Sequence, residues 1–189
     1  MGQAKQKAKL LEDWKSSLSK EECTVFDIAF RLHNNFIKPR NVTGMCYHSV
    51  FFLYLYLKKT HGITTTPIIG YVNDGTDDIF VSHAWLEFNG KRIDVSAAVT
   101  DPRIGAAGEL IILDRVMKAG LRYGYYREIP EQGIRQHELL RMTGTRALLE
   151  RKEQEHATMV RRVNDDDEIL SYLDNEPNGF TLQRIASLI

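Results

Sequence analysis

The sequence predicts an α+β fold: a buried helix with a cysteine at its N-terminus, packed on an antiparallel β-meander and flanked by N- and C-terminal helices. Three observations carry that expectation. Residues 46–59 read as a helix that is apolar nearly all round, which is the pattern of a buried element. Three β-like runs follow it, separated by Asn-Asp-Gly and Asn-Gly turn signals. Both ends of the chain return to a 3.6-residue apolar period. The chain of 189 residues, 43% of them hydrophobic, suffices for one domain with its own core. Within it we distinguish a helical region at 1–40, a core at 41–113 and a second helical region at 114–189.

The elements follow in order. Residues 4–18 place Ala8, Leu11, Trp14 or Lys15, and Leu18 at near-helical spacing. Ser19, followed by Glu21 and Glu22, predicts an N-cap with acidic residues in the first turn. The next helix shows Val25, Phe26, Ile28, Ala29, Leu32, Phe36 and Ile37 on one broad face, and Pro39 is expected to end it. The helix at 46–59 is closed by His61-Gly62. Strands are expected at 67–72, 79–88 and 91–95, the last two joined directly by Asn89-Gly90. Beyond residue 112 the signal turns helical, over 135–142, 145–163, 165–173 and 181–189, with Pro177-Asn178-Gly179 as a break. The acidic run Asp165-Asp166-Asp167-Glu168 lacks the alternating ligands and central glycine of an EF-hand loop. It reads instead as an acidic first helical turn.

Composition excludes several classes. With 25 basic and 25 acidic side chains the formal charge is zero, so the basic excess of a nucleic-acid or anionic-membrane binder is missing. Two cysteines make no disulfide framework, and 13 Gly with 5 Pro do not describe a low-complexity chain. The lysine-rich beginning lacks an apolar h-region, and Gln6 stands where a myristoylation signal wants Ser or Thr. The apolar stretch at 50–57 is too short to span a bilayer, and Asn41-Val42-Thr43 is read as a chance match to a glycosylation pattern. The expected compartment is a reducing cytoplasm, with no membrane association.

Chemistry concentrates between Gly44 and Val95. Cys46 falls at the first turn of the buried helix, where unpaired N–H groups and the helix dipole stabilise a thiolate and an oxyanion forming beside it. Gly44 lets the backbone turn tightly just before it. His83, inside a β-like run, is the candidate proton carrier. If Asn89-Gly90 is a two-residue hairpin, Phe88 pairs with Lys91 and His83 faces Ser96. Asp94 is then a diagonal neighbour on the same face, within reach of the imidazole.

At these residues the chain resembles the transglutaminase-like superfamily of papain-type thiol enzymes, in its bacterial or phage-type form. Gly44-Met45-Cys46 at a helix start, His83-Ala84-Trp85-Leu86-Glu87 in one strand and Asp94 in the next carry the resemblance, and Pro67 to Val72 resembles the strand before the histidine strand. It covers about 60 central residues. It implies a Cys-His-Asp triad, with Cys46 as nucleophile, His83 as general acid/base and Asp94 as orienting carboxylate. The implied reaction is attack on an amide or peptide carbonyl through a thioester, ending in hydrolysis or acyl transfer, on a peptide or protein substrate and without a cofactor. The calcium-dependent animal transglutaminases are larger and usually carry Trp after the nucleophile, where this chain has Tyr47. Neither calcium nor protein crosslinking is therefore expected.

Other readings stand beside this one. Tyr71 and Trp85 read first as core or pocket wall, while Trp85 and Tyr47, close in sequence to His83 and Cys46, are the candidates for substrate contact. Asn41 is the nearest side chain in sequence for an oxyanion hole. Cys23, mid-helix with no His or Asp pattern, reads as a packing residue. Cys46, His48, His83 and Asp94 are chemically suitable metal ligands, but a Cys-x-His pair on one helix points about 200° apart, so no metal is expected. A binding or adaptor module on the same fold is the alternative function. It rests on charge segregation: Lys5, Lys7, Lys9, Lys15 and Lys20 against Glu12 and Asp13 at the start, and six acids within 164–176. Such a basic helix could touch an acidic protein or nucleic acid, though it more often marks a solvated face.

Overall fold

The computed structural model describes residues 2–99 and 106–189. Two amphipathic helices open the chain, α1 (Gly2–Ser16) and α2 (Lys20–Arg31). Ser19 caps α2 as its sequence context predicts: its Oγ accepts the Glu22 N–H at 3.1 Å, and Glu22 Oε2 accepts the Ser19 N–H at 2.9 Å. Glu22 also takes Lys91 Nζ at 2.6 Å, which ties the start of α2 to the sheet.

The helix does not stop at Pro39. It widens to π geometry over Leu32–Ile37 and runs on through α3 (Lys38–Arg40). The Lys38 N–H reaches back to the His33 carbonyl, so Pro39 enters at the first turn of a new short segment, where its missing N–H costs little. Asn41, at φ 47°, ends the run in the left-handed region. Helix α4 (Cys46–His61) follows and stops at Gly62, which adopts φ 67° and donates to the Leu57 and Lys58 carbonyls. Phe51, Phe52, Leu55 and Leu57 are fully buried, as its all-round apolarity requires.

Six strands form one antiparallel sheet in the order β5-β4-β3-β2-β1-β6. They are β1 (Thr66–Asn73), β2 (Val81–Phe88), β3 (Lys91–Asp94), β4 (Leu110–Ile112), β5 (Arg115–Lys118) and β6 (Gly124–Tyr126). β2 and β3 pair as Leu86–Ile93, Glu87–Arg92 and Phe88–Lys91, which is the register of a two-residue Asn89-Gly90 hairpin, and both turn residues have positive φ. After β6 come α5 (Glu131–Arg141), α6 (Arg146–Arg162), α7 (Asp166–Asp174) and α8 (Leu182–Ala186). The sheet thus extends into the stretch expected to be helical from residue 114, since β5 and β6 both lie there. The fold class is α+β with an antiparallel sheet, as the sequence indicates.

Alternation along β2 divides its side chains. Ala84, Leu86 and Phe88 join Ile93 and Ile112 in the main core against α2, α4, α7 and α8. His83, Trp85 and Glu87 take the opposite parity, shared by Arg92 and Asp94 on β3. Tyr125 on β6 reaches this second group, its ring edge-on to Trp85 at 5.3 Å and covered by the Arg92 guanidinium at 4.0 Å. Helix α6 lies against β1 and β2, and α5 packs on α6. Asp165 caps α7 by accepting the Asp167 and Glu168 N–H groups, and Asp166 pairs with Lys58 at 2.6 Å, so the acidic run serves a helix end.

Gly70 makes the crossing by Tyr125 possible. It lies opposite His83 in the β1–β2 register. A Cβ there would overlap the Tyr126 carbonyl oxygen of β6 and come within 2.7 Å of Trp85 Cη2. Gly70→Ala must therefore push β6 or Trp85 aside, at a cost of about 1–3 kcal/mol. Urea unfolding of this variant should show a lowered midpoint with unchanged cooperativity; a wild-type midpoint would mean that β6 is not seated against Gly70.

Candidate active site

Thr43, Gly44 and Met45 bring the chain from the end of α3 to the start of α4. Gly44 adopts φ 70°, a conformation that a side chain would strain. Met45 is the N-cap, and no side chain caps this helix end. Its first-turn N–H groups are thus not claimed by a capping side chain, and Cys46, half-buried, is the first helical residue among them.

His83 and Asp94 meet as the hairpin register dictates. The His83 Nε2–H donates to Asp94 Oδ2 at 2.6 Å, with the imidazole 12% exposed and the carboxylate completely buried. Four further donors are directed at it. Its Oδ1 accepts the Ser96 N–H, the Ser96 hydroxyl and the Ala97 N–H, each at 3.1 Å. The Tyr125 hydroxyl donates to Oδ2 at 2.8 Å. Burial alone would push this carboxyl's pKa up. The His83 charge and hydrogen bond, the Ala97 N–H and Tyr125 outweigh it and hold the group well below the usual carboxylate range. The imidazole answers in the opposite sense: burial opposes its charge, but Asp94 and then the adjoining Cys46 side chain raise its pKa far above the ordinary histidine value.

Cys46 and His83 open on one cavity of about 610 Å³. Gly44 and Ser96 also line it, and residues of α5 and α6, among them Leu140, Leu149 and His156, complete its wall. A second polar chain runs along it. Tyr47 Oη and Ser82 Oγ are 2.6 Å apart, and Ser82 Oγ lies 2.5 Å from His156 Nδ1. The His156 ring stacks on Tyr71 with centroids 4.5 Å apart.

No family model, curated protein or solved structure matches the chain. The site must be read from its own geometry.

Cys46, His83 and Tyr47 line the cavity, and Asp94 stands behind His83. Trp85 lies elsewhere: it is 2% exposed, does not line the cavity and donates its indole N–H to Glu87 at 3.0 Å. Asn41 is exposed and shapes the end of α3 rather than the cavity. His48 is buried and donates Nε2–H to the Phe180 carbonyl at 2.7 Å, away from Cys46. Cys23, half-buried on α2, lies 3.7 Å from the Lys15 carbonyl. Among the described residues no cluster of three His, Cys, Asp or Glu is placed to hold a metal ion.

Four contributors escape the sequence pattern. Tyr125 comes from a three-residue strand with too little alternation to register as β. Ser96 and Ala97 act through a backbone turn directly after β3. His156 comes from a highly charged helix in which its neighbours read as solvent-facing. A Tyr-Gly-Tyr-Tyr cluster at 123–126 is the only sequence signal that points toward any of them.

Chemically, the arrangement offers a half-buried thiol at a helix N-terminus, an imidazole biased toward its charged form, and a carboxylate locked in its ionised form. Asp94→Asn replaces one acceptor oxygen with a donor among converging donors and leaves the His83 charge unpaired. Loss of about 3–5 kcal/mol of stability is expected. The pH dependence has a definite sign. Asp94, with its pKa depressed, stabilises fully above the ordinary carboxylate pKa of about 4 and less as acid titrates it. His83, with its pKa raised, stabilises fully below the ordinary imidazole pKa of about 6.5 and progressively less above it. Urea unfolding at pH 5.5 and pH 8.5 (about one unit below and two above that value) should therefore show greater wild-type stability at the lower pH, and the variant should lose that difference. An unchanged pH dependence in Asp94→Asn would contradict the pairing.

Proposed function

We propose that this chain is a transglutaminase-like thiol enzyme that attacks an amide or peptide carbonyl through a thioester, with a peptide or protein as substrate. One observation carries the reading: the buried Asp94–His83 pair, closed at 2.6 Å, shares its cavity with a cysteine at a helix N-terminus.

The steps follow from which atoms are already engaged. Asp94 occupies Nε2 of His83, which leaves Nδ1 to exchange a proton with the sulfur. With the imidazolium favoured by Asp94, His83 Nδ1 takes the proton that leaves Cys46 as the sulfur attacks. A C–S bond forms at the carbonyl carbon, and the carbonyl electron pair moves to oxygen. That oxyanion is stabilised by the uncapped N–H groups at the start of α4. His83 Nδ1–H then gives its proton to the departing nitrogen, the C–N bond breaks, and an acyl-thioester remains on Cys46. Water or an amine attacks the thioester, passes a proton to His83, and the thiolate leaves. Asp94 stays ionised throughout and keeps the ring oriented. A reducing compartment such as the cytoplasm suits a mechanism that needs a free thiol.

Alkylation resolves this reading experimentally. With iodoacetamide at pH 6 and the two cysteines quantified separately by peptide mass spectrometry, Cys46 should react faster than Cys23 by on the order of tenfold or more. His83→Ala should abolish that advantage without changing Cys23. Equal rates at the two cysteines, or an advantage that survives His83→Ala, would contradict the proposed Cys46–His83 pair.

A further inference from the structure

We propose that His156 is a second substrate-contacting residue of this site, donating its Nε2–H to the carbonyl oxygen of the bound amide. The inference rests on the thiol-enzyme reading and adds to it a residue from α6, a helix that contributes nothing to the Cys46, His83 and Asp94 set.

Its tautomer follows from the chain of hydroxyls behind it. Tyr47 is buried, and its hydroxyl lies 2.6 Å from Ser82 Oγ. Ser82 Oγ is the one partner of that hydroxyl among the described residues, and donation to it is the arrangement that keeps the O–H bonded within the protein. In that arrangement Tyr47 donates to Ser82, and Ser82 donates onward to His156 Nδ1 at 2.5 Å. With Nδ1 accepting, the ring proton resides on Nε2. Burial lowers the pKa of this histidine, which keeps the ring neutral near pH 7 and the chain of donors intact. The stacked Tyr71 ring, 28° from coplanar, fixes the plane in which Nε2–H points.

Nε2 itself is left over. Among the described residues no group bonds it, and it is not among the sealed polar atoms, while the residue lines the cavity that holds Cys46 and His83. A held, neutral N–H facing a cavity selects an oxygen acceptor. The surroundings favour a neutral one: Glu153 and Glu155 line the same space, each already paired, with Arg141 at 2.7 Å and Lys152 at 2.8 Å, so among the described lining residues no Lys or Arg is left for a carboxylate. An amide carbonyl meets that requirement, and a carboxylate does not.

The test compares two reagents that both alkylate thiols by displacing iodide: iodoacetamide, which carries an amide carbonyl, and iodomethane, which carries none. The measured quantity is the Cys46 rate with each reagent, normalised to Cys23 in the same molecule, and the ratio between reagents. His156→Phe keeps the stacking on Tyr71 and removes the donor; His156→Gln restores an N–H near the Nε2 position. The iodoacetamide-to-iodomethane ratio should fall about 3- to 10-fold in His156→Phe, the worth of one hydrogen bond, and stay near wild type in His156→Gln. An unchanged ratio in His156→Phe overturns the proposal, and so does an equal fall in both variants, which would report shape rather than a donor. Wild-type Cys46 that outpaces Cys23 with neither reagent would instead contradict the thiol-enzyme reading, and the contact with it.

Discussion

A carboxylate with no exposed surface has to be compensated from all sides, and at Asp94 that requirement organises the molecule around it. Moving an isolated carboxylate out of water is costly unless charge and hydrogen bonds replace its hydration. Here the replacements come from three places in the chain: the β2 imidazole, the turn after β3 with the Ser96 and Ala97 N–H groups and the Ser96 hydroxyl, and the β6 phenol. Each place depends on a distinct structural element. The β2–β3 register sets the imidazole, the turn sets the amides, and the β6–β1 pairing at the sheet edge sets Tyr125.

The same constraint explains why the sheet is larger than the strands that carry His83 and Asp94. Tyr125 is the only contributor from β6, and it reaches Asp94 by lying across Trp85 under the Arg92 guanidinium. Gly70 keeps that path open. On the other side of the site, α4 is anchored by a core shared with α2, α7 and α8, so the position of Cys46 is held by packing remote from the chemistry. The α5–α6 pair completes the cavity wall and adds a second histidine. The regions that differ in sequence texture are therefore not separate units: terminal helices, central helix and sheet bury their apolar side chains in one core.

How much of this could be read from the sequence depended on whether the signal was local. The Ser19 N-cap, the Gly62 stop and the Asn89-Gly90 hairpin each lie within a few residues, and all three are present. The hairpin in turn fixed the His83–Asp94 pairing, because a two-residue turn leaves one register. What escaped was non-local or weakly marked. β4 and β5 meet at Leu113-Asp114, which adopts the left-handed region at φ 53° and 62° without a glycine or asparagine to announce it. That turn is held from outside, by Asp114 bonding the Arg92 backbone on β3. Pro39 misled for a related reason, since a π-widened turn upstream removed the need for its N–H. Trp85, conspicuous two residues from His83, is committed to packing against Tyr125, whereas His156 gave no sequence sign of reaching the cavity.

Chemically, the arrangement rests on one statement about charge: Asp94 favours the protonated His83 ring, and the thiol chemistry proposed for Cys46 depends on that proton. The 15N and 1H resonances of the His83 imidazole, followed by NMR against pH in the intact protein, address it most directly. The expected result is a ring with both nitrogens protonated at pH 8, about 1.5 units above the ordinary imidazole midpoint, with Nε2–H in a strong hydrogen bond to Asp94. A neutral His83 ring at that pH, titrating like an ordinary histidine, would contradict the account at its centre.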